Sequence, residues 1–131
     1  MSSDLAVITK AKDLCSYVFT VTDKSPKKFR FTLVIRLQNY SLDIVENILA
    51  ANDVPLKDGG LSEAKKRQEY QAKAMTDLRT LGFLSELAMK QQCILPKHYE
   101  QITGRISETQ KLLSGWMNSD KKRYASLGIR L

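Results

Sequence analysis

Three basic clusters carry the residues of this chain whose type and spacing could do chemistry: Lys65-Lys66-Arg67, Lys121-Lys122-Arg123, and Lys27-Lys28 with Arg30. Ammonium and guanidinium groups set this close repel one another and attract phosphate. A protein that neutralises phosphates releases counterions, so binding of this kind is salt-sensitive and weakly sequence-specific. A solvated helix face is the plain alternative for any one such run. Lys65-Lys66-Arg67 argues against it, because positive charge near a helix N-terminus opposes the helix dipole. Lys121-Lys122-Arg123 falls near a helix C-terminus, where the dipole welcomes it, so it has a structural explanation as well.

Catalytic chemistry finds little to work with. His98 is the one histidine, and the residue three places before it is Leu95, so the Glu-x-x-His pairs of a di-iron bundle are absent. There is no Cys-x-x-Cys and no Walker-type glycine loop; Asp58-Gly59-Gly60 reads as a turn. Cys15 and Cys93 lie in apolar helical segments and read as small buried hydrophobes with free thiols, although one bridge stays compatible with them. Trp116 and Tyr99 fit a core better than a base-stacking platform. The expectation is a binding protein and not an enzyme, with no cofactor, no metal and no small-molecule substrate.

The 131 residues carry a net charge of +7 and are 43% hydrophobic, the composition of one globular domain. Residues 1–60 hold 8 Lys/Arg against 7 Asp/Glu, whereas residues 61–131 hold 13 against 7, so nearly all the excess lies in the second half. Such a balance favours an anionic partner, RNA or DNA. No apolar run approaches the ~20 residues of a membrane span, and Met1-Ser2-Ser3-Asp4 is not the start of a secretory signal. A cytoplasmic protein without a membrane partner is expected.

The elements that must position these residues are four helices. Helix A covers about 5–22, with Ser3 or Asp4 as N-cap, and its apolar face is Val7, Ile8, Ala11, Leu14, Cys15, Val18 and Phe19. Helix B runs from about Pro26 to Asn52, with Ser25 as cap and Pro26 in the first turn. Helix C follows Ser62 to about Gln92, with the stripe Tyr70, Ala74, Leu78, Leu81, Leu84 and Ala88. Helix D runs from about Pro96 to Ser119, with Tyr99, Ile102, Ile106, Leu113, Trp116 and Met117. Short connections between long helices imply an all-α, antiparallel up-down four-helix bundle over residues 1–120, followed by a basic C-terminal tail over 121–131. This topology collects Lys65-Lys66-Arg67 and Lys121-Lys122-Arg123 at one end, and Lys24, Lys27, Lys28, Arg30, Lys90, Lys97 and His98 at the other.

Helix B is apolar on two sides. Phe29, Leu33, Leu37, Tyr40, Ile44, Ile48 and Ala51 make one face; Phe31, Val34, Ile35, Leu42, Val45 and Leu49 lie roughly opposite. A helix apolar on two sides is buried on two sides, so the second face is expected to pack on another subunit; a segment of the same chain folded across it is the alternative. Arg36 falls on the first face and would need a partner there, with Asp43 and Asp77 in reach. Helix D has a small polar back with Gly104, Ser107, Lys111, Ser114 and Gly115, which suits close approach by a partner or a relaxed surface.

The run Lys27-Lys28-Phe29-Arg30-Phe31-Thr32, continued by Arg36-Leu37-Gln38-Asn39-Tyr40-Ser41-Leu42-Asp43, resembles the accessory variability determinant (Avd) family of diversity-generating retroelements. So do Arg67-Gln68-Glu69-Tyr70-Gln71-Ala72-Lys73-Ala74 and Trp116-Met117-Asn118-Ser119-Asp120-Lys121-Lys122-Arg123. Bundle proteins encoded in intervening sequences of large-subunit ribosomal RNA genes are related. The resemblance spans about 11–123. It implies a basic, non-catalytic homopentameric ring that binds a reverse transcriptase and its template RNA and supports mutagenic cDNA synthesis. It transfers no residue-by-residue RNA motif, so the candidate nucleic-acid site rests on the charge argument. A structural or protein-interaction bundle with no nucleic-acid role is the alternative.

Overall fold

The computed structural model describes residues 3–56 and 60–131, with side chains from residue 6 onward. The turn at Asp58-Gly59 lies outside the described residues, as do the side chains of Ser3 and Asp4, on which the expected cap depends. Helix α1 spans Ser3–Thr22, α2 Ile35–Asp53, α3 Gly60–Lys90 and α4 Pro96–Ser126. Helix α1 packs on α2 and α4, and α3 packs on the same two, which closes the square of an antiparallel four-helix bundle.

The core follows the 3.6-residue period. Val7, Ala11, Leu14 and Val18 of α1 meet Leu37, Ile44, Ile48 and Ala51 of α2. Ala74, Leu78, Leu81 and Ala88 of α3 and Ile102, Ile106, Leu113 and Trp116 of α4 complete it. Ile8, Tyr17, Tyr70, Tyr99 and Met117 pack at its margin. Phe19, expected with the α1 face, is instead exposed. Both cysteines are free, Cys93 buried and Cys15 half-buried.

The start of the second helix departs from a plain α-helix. Pro26 is extended (φ −56°, ψ 139°), Lys27–Phe29 form a 3₁₀ turn and Arg30–Val34 a π turn before α2 begins at Ile35. A π turn winds less per residue than an α turn. Val34, its last residue, and Leu37 beyond it reach the core, with Leu33 packed at the core margin. Ser25 does not cap this helix. Its hydroxyl donates to the Cys93 carbonyl (2.8 Å) and ties the α1–α2 elbow to the α3–α4 connection.

The end of α3 has Gln92 in the left-handed region (φ 63°), with the Cys93 N–H reaching back to the Ala88 carbonyl (2.8 Å). The end of α4 uses Gly128 in the same way (φ 76°), with Ile129 N–H on the Tyr124 carbonyl (2.8 Å) and Gly128 N–H on that of Ala125 (3.1 Å). This is the Schellman arrangement that glycine favours. It stops α4 after Ser126, so residues 121–126 continue the helix and Tyr124 is buried in the bundle. The boundary expected at residue 120 therefore falls inside α4.

Gly104 and Gly115 of α4 face open space, with nothing within 4 Å of an added Cβ. Close backbone approach at these two positions does not occur within the chain.

Candidate nucleic-acid interface

The two ends of the bundle hold the basic residues as the topology requires. At one end, a buried polar knot joins the last turn of α2, the start of α3 and the end of α4. Arg67 Nε and Nη2 donate to Asp120 Oδ2 (2.7 Å) and Oδ1 (3.2 Å) in a two-pronged ion pair. Its Nη1 donates to the carbonyls of Ala51 (3.3 Å) and Val54 (2.9 Å) at the α2 C-terminus, where the Ala51 carbonyl also accepts the Val54 N–H (3.2 Å). Gln71 Nε2 donates to the same carboxylate (2.8 Å), and the guanidinium lies 4.9 Å from the Trp116 ring centre. Tyr124 donates to the Ala64 carbonyl at 3.5 Å; burial first, then the Asp120 charge, pushes its phenol above the usual range.

Arg67 is thus a correction. It was expected among the phosphate-binding residues, yet it is 3% exposed and its guanidinium is spent on Asp120 and the α2 carbonyls. Pulling it out to meet phosphate would break the buried pair and leave the Asp120 charge unpaired. The signal was present in the sequence: Arg67 lies seven residues before Ala74, in phase with the α3 core stripe, and Asp120 lies four after Trp116 in phase with that of α4.

What the knot does for the surface is place cations. Lys65 and Lys66 flank Arg67 on the exposed side of α3, and Lys121, Lys122 and Arg123 flank Asp120 on the exposed side of α4. One end of the bundle therefore shows five solvated cations around a buried tie. A shallow apolar notch lined by Pro55, Leu56, Arg123, Ser126 and Leu127 opens beside them.

The opposite end gathers exposed Lys27, Lys28 and Arg30 around the elbow, with the Ser25–Cys93 bond setting the α3–α4 connection next to it. The helices that separate the ends are long; 31 residues of α4 at about 1.5 Å per residue span roughly 45 Å. Burial and the charges of Lys97 and Lys24 hold the His98 imidazole below its ordinary pKa, and its Nδ1 accepts the Leu95 N–H at 3.4 Å. Lys28 Nζ sits 5.1 Å from the Phe29 ring centre.

The second face of the α2 segment divides. Val34 belongs to the core of its own chain, a correction to its expected place on an outer face, and Val45 is half-buried against that core. Ile35, Leu42 and Leu49 are 42%, 40% and 38% exposed and recur every seven residues along α2. This is the heptad spacing of one position of a coiled-coil seam, with Val45 between Leu42 and Leu49. Phe31 is 82% exposed and precedes the α-helical phase, on the π turn. Phe83 of α3 is a second isolated exposed aromatic (61%).

Arg36 is not on the core face. It is exposed and lies over the Tyr40 ring at 5.6 Å, because within α2 it stands about 100° of helix rotation from Leu37, off the buried stripe of Leu37, Ile44, Ile48 and Ala51. Asp77 is half-buried, accepts from Asn47 Nδ2 (3.1 Å), and is held above the usual carboxylate range by burial and by Asp43.

An all-helical four-helix bundle with clustered surface cations at both ends is the class of protein that these features define. Among the described residues no helix is long and apolar enough to cross a membrane. The chain belongs to the bAvd-like family, whose pattern it matches over residues 5–120. No curated protein matches it closely in sequence.

Proposed function

We propose that this chain is a non-catalytic accessory subunit of a diversity-generating retroelement. In this reading it forms a homopentameric ring in the cytoplasm, and the ring binds the reverse transcriptase and its template RNA. The observation that carries the reading is the end of the bundle where Lys65, Lys66, Lys121, Lys122 and Arg123 stand exposed around the Arg67–Asp120 tie. Membership of the bAvd-like family supports the same role. The seam of Ile35, Leu42 and Leu49 supports self-association, and a ring multiplies the basic surface by its subunit number. Mechanistically the cations grip the RNA backbone and concentrate template where the polymerase docks.

The first test is what the protein retains on purification. At low salt the absorbance ratio is expected to show bound RNA, and a high-salt wash is expected to remove it. A preparation free of nucleic acid at low salt, unable to retain added RNA, would favour the protein-interaction bundle instead.

A further inference from the structure

The elbow between α1 and α2 has features that a purely electrostatic grip does not need. Phe31 is 82% exposed. An aromatic ring this solvated is unfavourable for a chain that could bury it, and it is the most exposed of the large apolar side chains among the described residues. It sits on a π turn, a local distortion that recurs at functional sites. Beside it opens a cleft of about 330 Å³ lined by Phe31, Lys27, Arg30, Asp23, Thr22 and Gln38, among others. Lys27 and Arg30 bring positive charge to the rim. Within the cleft the Gln38 amide is fixed by donating to Thr22 Oγ1 (3.0 Å), whose own hydroxyl donates to the Val18 carbonyl (2.8 Å). That leaves Gln38 Oε1 as an unused acceptor.

We infer that this elbow is a site for single-stranded RNA. Phe31 is the platform on which one unpaired base stacks, Lys27 and Arg30 hold the flanking phosphates, and Asp23 and Gln38 offer acceptors to the N–H groups on the base edge. A paired base has its face covered and its edge engaged, so a duplex cannot use such a site. The mixture of a bare aromatic, cations and acceptors in one cleft fits a nucleotide better than an acidic peptide, whose carboxylates offer no ring to stack on Phe31 and no donor to Asp23 and Gln38. This assignment rests on the RNA-binding role proposed above and specifies the form of RNA that the elbow selects.

The test is fluorescence anisotropy with a labelled oligo(U) strand and an RNA duplex of equal length, using the full chain. Phe31→Ala is expected to weaken strand binding roughly tenfold or more, the scale of one lost base–aromatic stack, and to leave duplex binding unchanged. Phe31→Trp is expected to retain strand binding. Because Phe31 makes no phosphate contact, the salt slope of Phe31→Ala should match that of the wild type, whereas Lys27→Ala should lower it. Equal affinity of Phe31→Ala and wild type for the strand would overturn the inference. So would a parallel loss on strand and duplex, a loss that tracks a fall in oligomer mass, or displacement of oligo(U) from the wild type by poly-glutamate through Phe31. Wild-type protein that binds neither RNA defeats the RNA-binding role itself, whereas wild type that binds both with no dependence on Phe31 defeats only the elbow site.

Discussion

Replacing Arg67 by alanine is expected to destabilise the bundle by about 3–5 kcal/mol, the usual cost of leaving half of a buried ion pair unpartnered. Asp120 is 1% exposed and would keep only its bond from Gln71. The Val54 carbonyl would lose its donor in the same step, and the Ala51 carbonyl would keep only the Val54 N–H. Against the 5–15 kcal/mol of an ordinary domain this is a large fraction. Arg67→Lys should recover little, since one ammonium cannot reach the carboxylate as a fork and also serve two carbonyls. The double variant Arg67→Met, Asp120→Leu should be far more stable than Arg67→Ala, because no charge is left buried. Urea unfolding followed by helical circular dichroism reads all of these. The same variants separate a structural Arg67 from a phosphate contact. A structural residue lowers the urea midpoint and leaves the RNA salt slope of the folded protein alone. A phosphate contact does the reverse.

The second large effect concerns assembly. Leu42→Lys together with Leu49→Lys should reduce the protein to its 14.9 kDa chain in light scattering, from a multiple of that mass in the wild type. Each leucine is already about two-fifths exposed, so the fold of the single chain should tolerate the change and helicity should persist. In an assembly the same positions are desolvated in every copy. Burying a leucine contributes up to roughly 1.5–3 kcal/mol, and a buried unpaired ammonium reverses the sign. An unchanged mass would remove the α2 seam as the interface. A wild type that is itself a 14.9 kDa monomer at micromolar concentration would remove self-association altogether.

Most of the fold was legible in the sequence because the core follows one period. Val7, Ala11, Leu14 and Val18, or Leu78, Leu81 and Ala88, mark their faces without ambiguity. The misreadings occurred where polar chemistry or backbone geometry overrides that period. Arg67 has the charge of the surface run Lys65-Lys66-Arg67 but the phase of the α3 core stripe, and the phase decides its place. Its neighbours do stand on the surface, since i and i±1 or i±2 point away from each other on a helix. Val34 lies inside and Arg36 outside because the buried stripe of this helix centres on Leu37, Ile44 and Ile48, with Val34 three residues before Leu37, and not on the half-buried Phe29 and Tyr40. The helix end at Ser126 was written in Gly128, which supplies the left-handed residue a Schellman cap needs; the basic run before it drew attention away. Of the candidate site, the gathering of two cationic runs at one end follows from topology. The buried tie that aims them outward is marked in the sequence only by the core phase of Arg67 and Asp120.

The most direct measurement of the central claim is the salt dependence of RNA binding for the wild type and for a variant carrying Lys65→Glu, Lys66→Glu, Lys121→Glu and Lys122→Glu. All four side chains are exposed and bear no part of the buried knot, so the fold should survive. The wild type is expected to lose affinity steeply with salt, with a slope of about 0.7 per phosphate neutralised on a single strand. The variant should bind more than about a hundredfold more weakly at low salt, with a slope shallower by several. A wild-type affinity that is flat in salt, or a variant with the same affinity and slope, would contradict the account.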